Sequence, residues 1–426
     1  MANSNVVGSS RAWLVTLTAA LFFFFVYIQI NLFNAINPYL LKEFNLTAAQ
    51  LGQFSSYYFI INVALLFPAG MLLDRVSPYK IILISMITGI LGTLVFSFAN
   101  SFSMLIVSRI MIGLCGTCCF LGCIKIASRW FPPQRMALVT GLVVTMAMLG
   151  GIMAQVPFTL LTDHMGWRNA LLVDAGIGVL ITLLIVVFVR DYPPGSKAMI
   201  EKQASQLSNM SFFKLLGKVV ANPQNIFSGL FISLVNLPVF IIGAMWGSMY
   251  FVQAHNLTRA QATFITSMLF FGLIIGSPLF GWISDYLKKR RLPMIVGAAA
   301  SLAVMLVIMY IPHLSFTMFL ILFFVLGVLI GSQIIGYPLI AESNSMFLTG
   351  AATGLASIFI LGMGMTQSLF GWLLGLNWDH TVINGGEPIY AVSDYNLAML
   401  ILPVGFAIGL IAALLCKETN CISKKE

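Results

Sequence analysis

Charge is what this sequence lacks. Only 8% of its 426 residues are Asp, Glu, Lys or Arg, against roughly 25% in an ordinary soluble domain. Thirteen acidic side chains over such a length cannot give a folded chain a polar surface, so its outer face must meet lipid. That excludes a soluble enzyme and a nucleic-acid reader, and no nucleic-acid partner is expected. The net charge of +9 contains no continuous basic arm. Histidine is scarce as well. His164, His255, His313 and His380 fall in four separate loops and form no HExxH pattern, so neither a metal nor a cofactor is expected. A membrane-embedded enzyme would gather such groups near one interface. A channel would show a Gly-rich filter loop or a ring of charges, and neither occurs. The six cysteines make no disulfide framework: Cys115, Cys118, Cys119 and Cys123 share one apolar stretch, with Cys416 and Cys421 far away. Cys115 and Cys118 formally match CxxC, but inside an apolar helix they read as small packing residues.

What is present is hydrophobic, at 59%. Apolar runs fall near 12–37, 48–73, 79–98, 103–126, 136–160 and 168–189, then near 225–252, 259–285, 292–311, 315–340, 350–375 and 393–416. Each is long enough to cross a bilayer of about 30 Å as a helix. The run from Trp13 to Ile36 is too long for a signal peptide and lacks an Ala-x-Ala exit. The reading is an all-α membrane protein of twelve spans in two six-helix bundles, 1–189 and 225–426. Residues 190–224 form a cytoplasmic linker, in which 212–220 reads as an amphipathic surface helix. Lys and Arg set the orientation. With the N-terminus cytoplasmic, seventeen lie on the inner side, while Lys42, Arg168 and Arg259 alone lie outside and Arg109 and Lys125 lie within spans. Both termini are therefore expected in the cytoplasm.

The halves repeat. Asn45-Leu-Thr-Ala-Ala-Gln50 recurs as Asn256-Leu-Thr-Arg-Ala-Gln261, and Gly70-Met-Leu-Leu-Asp74 as Gly281-Trp-Ile-Ser-Asp285, both displaced by 211 residues. Parallel repeats of this kind are found in secondary transporters. Thr47 with Gln50, and Thr258 with Gln261, spell a capping box that starts spans 2 and 8. Gly70 and Gly281 are expected to permit close helix approach. Asp74 and Asp285 place a carboxylate at the inner membrane surface, where an arginine or a helix N-terminus can hold it.

At these residues the chain resembles the major facilitator superfamily, whose signature after spans 2 and 8 is Gly-x-x-x-Asp-basic-x-Gly-basic-basic. The first copy keeps Gly70, Asp74, Arg75 and Lys80 but lacks the second glycine. The second keeps Gly281, Asp285, Lys289 and Arg290. Further echoes are Arg109-x-x-x-Gly113, Trp130-Phe-Pro-Pro-Gln-Arg135 and Gly166-Trp-Arg168. The Gly-Pro motif of many antiporters in span 5 is not met, which speaks against drug efflux. The Trp-Phe-Pro-x-x-Arg loop resembles those of organic-anion and dipeptide-type members. The resemblance implies alternating access around a central cavity lined by spans 1, 2, 4, 5, 7, 8, 10 and 11. It also implies gating by the two Gly-x-x-x-Asp loops. Glu342, at the inner end of span 10, is expected to pair with a loop arginine such as Arg75.

Candidate solute contacts are the polar and aromatic residues of those spans. Tyr27, Asn31 and Asn34 share one helix face, as do Ser55, Tyr58 and Asn62. The others are Gln155, Asn236, Trp246, Tyr250, Gln333, Tyr337 and Gln367. Buried amides also serve as interhelical hydrogen bonds, so each has a bland reading beside the functional one. Ionisable residues inside spans are functional candidates by default. Arg109 and Asp174 both lie about 9 Å from the outer surface at 1.5 Å per residue. They could lock the N-terminal half as an ion pair, or Asp174 could carry a coupled proton, or Arg109 could anchor an anion. Lys125 reads as a snorkelling residue or as a contact for an anion from the cytoplasm. Without central charges in spans 1, 2, 5, 7, 8 and 11, the expected cargo is a small neutral, zwitterionic or amphiphilic organic solute. The alternative is an organic anion, of carboxylate or siderophore type, held by Arg109 and Lys125. The protein is expected to work as a monomer in a bacterial inner membrane, with protons as a possible second partner.

Overall fold

The computed structural model describes residues 10–132, 135–194, 217–311, 313–344, 346–379, 381 and 388–422, with Asp74 and Arg75 described by their backbone alone. Nearly all of that length is helical. In order, the helices are α1 (Ser10–Asn31), α2 (Phe33–Glu43), α3 (Ala48–Arg75), α4 (Pro78–Ser97), α5 (Phe102–Thr117), α6 (Cys119–Trp130), α7 (Met136–Met153), α8 (Val156–Met165) and α9 (Trp167–Phe188). After the linker come α10 (Pro223–Val235), α11 (Gly247–His255), α12 (Arg259–Leu287), α13 (Arg291–Tyr310), α14 (Phe316–Ile330), α15 (Gly336–Ser343), α16 (Met346–Met363), α17 (Thr366–Gly375), α18 (Val392–Met399) and α19 (Ile401–Leu415). A π-helix, Val239–Trp246, joins α10 to α11, and a short 3₁₀ segment, Gly331–Ile335, joins α14 to α15. Eleven of the described helical stretches are long and apolar enough to cross a membrane. The 28 residues of α3 make a twelfth of crossing length, about 42 Å. Of the surface helix expected over 212–220, residues 217–220 are helical and the rest lie outside the described residues.

The repeated anchors have a local cause. Asn45 and Asn256 adopt left-handed backbone, with φ of 50° and 53°. Asn tolerates that conformation better than most residues and ends spans 1 and 7. Two residues later a threonine starts the next helix. Thr258 accepts from the Gln261 N–H while the Gln261 side chain accepts from the Thr258 N–H, and Thr47 with Gln50 does the same. Ser77, Ser101 and Ser315 cap α4, α5 and α14 in the simpler way, each relieving one unpaired helix N–H.

The chain divides into two compact units, Met1–Leu32 with Tyr57–Asn209, and Phe33–Ser56 with Met210–Glu426. In the first, α1 packs on α6, α7 and α9, and α4 on α5 and α9. In the second, α12 packs on α14, α13 on α19, and α10 on α16 and α19, while α2 lies on the π-helix and α11. Apolar residues such as Ile84, Leu138, Leu180, Val187 and Trp282 are exposed. Buried polar groups include Gln29, Asn34, Asn37, Ser55 and Gln367, all at 0% exposure. A lipid solvent selects this inverted pattern, because polar groups facing it have no water to bind.

Candidate functional site

In the second unit, several of the candidates form one hydrogen-bonded cluster. Asn34 in α2 donates to the carbonyls of Ile242 and Gly243, at 2.9 and 2.7 Å, and accepts from the Ser248 N–H at 3.0 Å. One turn on, Asn37 donates to the Met245 carbonyl at 2.6 Å. All three carbonyls belong to the π-helix, whose wider turn disturbs the regular i→i−4 ladder. The amides of α2 thus bond to backbone carbonyls of this span, of which Ile242 also accepts from the Gly247 N–H. The start of α3 is tied to α17 in the same way. Ser55 donates to Gln367 Oε1 at 2.6 Å, while Gln367 Nε2 donates to the Phe240 carbonyl at 2.7 Å. The Trp246 indole donates to the Gln367 carbonyl at 3.2 Å and stacks on Phe370.

Glycine permits this approach. A Cβ on Gly52 would lie 2.6 Å from the Gln367 carbonyl oxygen, and one on Gly371 would strike the Ala48 carbonyl. Arg259, at the first turn of α12, adds a charged tie: it donates to the Tyr39 hydroxyl at 2.7 Å and to the Ala35 carbonyl, and lies over the Tyr39 ring. The Tyr390 hydroxyl accepts from the Ala48 N–H at 3.1 Å.

Among the described residues, the first unit buries one arginine and one aspartate, Arg109 and Asp174. Among the described residues no ion pair joins them. Arg109 Nη1 donates to the backbone carbonyl of Gln29 at 3.0 Å, and its guanidinium lies 5.5 Å from the centre of the Tyr58 ring. The Gln29 side-chain amide donates to Asp174 Oδ2. Gln29 thus stands between the two groups. Gly113, one turn beyond Arg109, faces the Tyr58 backbone so closely that a Cβ would come within 3.0 Å of its carbonyl oxygen, which accounts for the Arg-x-x-x-Gly spacing.

At the opposite end of the second unit, Arg290 donates to Asp285 at 2.5 Å and to Glu342 at 2.7 Å. Glu342 therefore pairs with a loop arginine, and the partner is Arg290; the Arg75 side chain lies outside the described residues. Thr419 donates to the other Glu342 oxygen at 2.5 Å. Glu418 accepts from the Arg290 and Arg291 N–H groups at 2.8 and 2.9 Å, at the start of α13. Partial burial pushes the Glu418 carboxyl up, but these N–H donors, with those of Thr419 and Asn420, more than offset it and hold the group below its ordinary range. In the first unit Asp191 plays a like part, accepting from Ser77, from the Tyr79 N–H at 3.0 Å and from Arg129 at 3.2 Å. A Cβ at Gly70 or Gly281 would meet nothing within 4 Å among the described residues. Lys80 and Lys289 are exposed.

The remaining candidates divide by unit. In the first, Tyr27 and Lys125 are half-buried, Tyr58, Asn62 and Gln155 are buried, and Asn31 bonds back to the Tyr27 carbonyl at 2.7 Å. In the second, Gln333 Nε2 donates to Asn236 Oδ1 at 3.0 Å beside half-buried Tyr337, while Tyr250 is buried against Tyr395 and His255. Sequence reasoning passed over Gln29, Asn37, Asp191 and Glu418. Asn37 carried a signal, lying one turn beyond Asn34; the others bond to residues remote in the chain.

The sequence profile of the Major Facilitator Superfamily matches residues 19–366. A probable sulfoacetate transporter of Cupriavidus necator is 24% identical over 307 residues, 70% of this chain and 71% of its own length. The membrane sensor protein UhpC of Salmonella typhimurium is 25% identical, over 87% of this chain and 86% of its own. A D-galactonate transporter of Escherichia coli is 23% identical, over 62% and 66%. Among solved structures, the inward-facing, unoccupied bacterial homolog to the human lysosomal transporter Spinster shares the fold with a TM-score of 0.74. It is 17% identical and covers 96% of this chain and 98% of its own. Twelve helices of crossing length, a repeat displaced by 211 residues and a profile match over most of the sequence agree: the chain belongs to the major facilitator superfamily and is a transporter.

Proposed function

We propose that this transporter moves a small neutral or zwitterionic organic solute by alternating access, driven by protons. It works as a monomer in a bacterial inner membrane with both termini cytoplasmic. Segments 1–189 and 225–426 act as the two moving bundles and 190–224 as the cytoplasmic linker. The observation that carries the solute class is the charge-free middle of spans 1, 2, 5, 7, 8 and 11. Their polar groups are amides, hydroxyls and phenols, which recognise a solute by hydrogen bonds and leave no buried charge to neutralise. Tyr27 and Asn62 in the first unit, and Asn236, Gln333 and Tyr337 in the second, are the contacts we assign. Asn34, Ser55, Trp246 and Gln367 close the outer side, and the loops bearing Asp74, Arg75, Lys80, Asp285, Lys289 and Arg290 close the inner side.

A second reading is an organic acid as cargo. It is favoured by relatives named as transporters of sulfoacetate, D-galactonate and galactarate or D-glucarate, and by the half-buried Lys125. Thermal unfolding of the purified protein against a panel separates the two. One arm holds glycine, neutral amino acids, dipeptides and sugars; the other holds sulfoacetate, D-galactonate and D-glucarate. A ligand at 100 times its Kd stabilises by about 2.7 kcal/mol. Stabilisation in the first arm supports the neutral class, and stabilisation in the second alone replaces it with the organic-acid reading.

A further inference from the structure

We propose that Asp174 is a proton-binding site, its carboxylic acid and the Gln29 amide forming a two-point hydrogen-bonded ring inside the first unit. This deepens the proton-driven reading above by naming the group that takes the proton, and the ring itself stands on geometry alone.

Asp174 is 1% exposed and Gln29 fully buried. Gln29 Nε2 donates to Asp174 Oδ2. The other two atoms of the facing groups, Gln29 Oε1 and Asp174 Oδ1, are buried with no hydrogen-bond partner. Both are acceptors in an ionised pair, so neither can satisfy the other. A buried acceptor left unpaired costs roughly 1–3 kcal/mol, and more where the group is charged. A single proton on Oδ1 removes both deficits. The new O–H donates to Gln29 Oε1, the amide N–H continues to donate to Oδ2, and the pair carries no charge.

The neighbours supply no competing partner. Helices α1, α4 and α8 pack on α9, and their titratable groups are Arg11 and Tyr27, Tyr79 and Lys80, and Asp163 and His164; α9 itself carries Arg168. Among the described residues none of these forms an ion pair with Asp174. Arg109 on α5 is directed to the Gln29 backbone carbonyl and the Tyr58 ring. That bond fixes α1 at the residue whose side chain closes the ring, so the position of α1 governs the proton. Uptake forms one O–H bond on Oδ1 with a proton from water. When α1 moves and Gln29 withdraws, that bond breaks heterolytically, the electron pair stays on Oδ1 and the proton leaves on water.

Infrared difference spectroscopy of the full-length protein in water and in deuterium oxide tests the site. The expected result is a protonated-carboxyl carbonyl stretch near neutral pH, shifted by deuterium. It should be lost in Asp174→Asn, whose amide can keep the ring, and displaced in frequency in Gln29→Leu. If Asp174→Asn does not fold, Asp174→Glu should displace the band instead. A wild-type spectrum with no such band, or a band unmoved by these substitutions, overturns the proposal. Uptake of glycine and of D-galactonate by wild-type proteoliposomes under a pH gradient tests the proton-driven reading separately. If neither accumulates above protein-free liposomes while the band is present, that reading fails and the site stands.

Discussion

Gln29 in α1 bonds to Asp174 in α9 through its side chain and to Arg109 in α5 through its backbone carbonyl. One uncharged residue thus organises the buried arginine and the buried aspartate of the first unit. Removing its amide by Gln29→Ala should lower stability by roughly 1–3 kcal/mol, the usual consequence of stranding a buried polar partner. Asp174→Asn keeps two complementary amides and should cost less than Gln29→Ala. Thermal unfolding of both variants checks the order; a harmless Gln29→Ala would mean that the bond carries no energy.

In the proposed outer seal, side-chain amides meet backbone carbonyls of the π-helix. Interhelical hydrogen bonds in membranes average about 0.6 kcal/mol and reach about 1.7. Asn34→Leu and Gln367→Leu should each weaken the closed outer side by that order. Alkylation of a cysteine placed at Ser56, by a membrane-impermeant reagent added outside, should become several-fold faster in either variant. Unchanged rates would remove these two residues from the gate.

Arg290 and Asp285 should differ sharply despite being bonded. Glu342 is buried beside Arg290, whereas Asp285 is exposed. Arg290→Ala leaves a buried carboxylate without its cation, a loss of about 3–5 kcal/mol. Asp285→Ala should cost far less stability, yet it should slow transport while leaving solute affinity nearly intact. Equal stability losses, or a full transport rate in Asp285→Ala at equal expression, would contradict this assignment.

Glu418 places a carboxylate on the N-terminus of α13, a position worth about 0.3–1 kcal/mol at a protein surface. Its folded pKa is depressed, so its contribution is complete above the unfolded value of about 4.3 and fades as pH falls through the folded value. Glu418→Gln should lower the unfolding temperature near pH 7 and flatten its decline below pH 5. Parallel pH profiles for variant and wild type would show that the tail cap contributes nothing.

The spans were legible because lipid enforces long apolar runs, and the turns at Asn45 and Asn256 because a left-handed stop followed by a threonine cap repeats at one offset. The hydrogen-bond partners of Asn34, Ser55 and Gln367 were not. A buried amide looks the same in sequence whether it faces a water-filled cavity or a carbonyl on another helix, and only the fold distinguishes them. The π-helix left no mark either, since Val239–Trp246 reads as any apolar helix. For Arg109 and Asp174 the spacing suggested an ion pair, which is not formed among the described residues. Gln29, 145 residues from Asp174, supplied the partner that spacing could not reveal.

The central claim is that the outer seal must open in each transport cycle. Ser55 and Gln367 are joined by a 2.6 Å hydrogen bond across that seal. Cysteines at both positions, in a protein whose six native cysteines are replaced, can be cross-linked and released again. With the solute that the thermal panel identifies, the oxidised protein should show no uptake above protein-free liposomes, and reductant should restore it. Full uptake by quantitatively cross-linked protein would contradict the account.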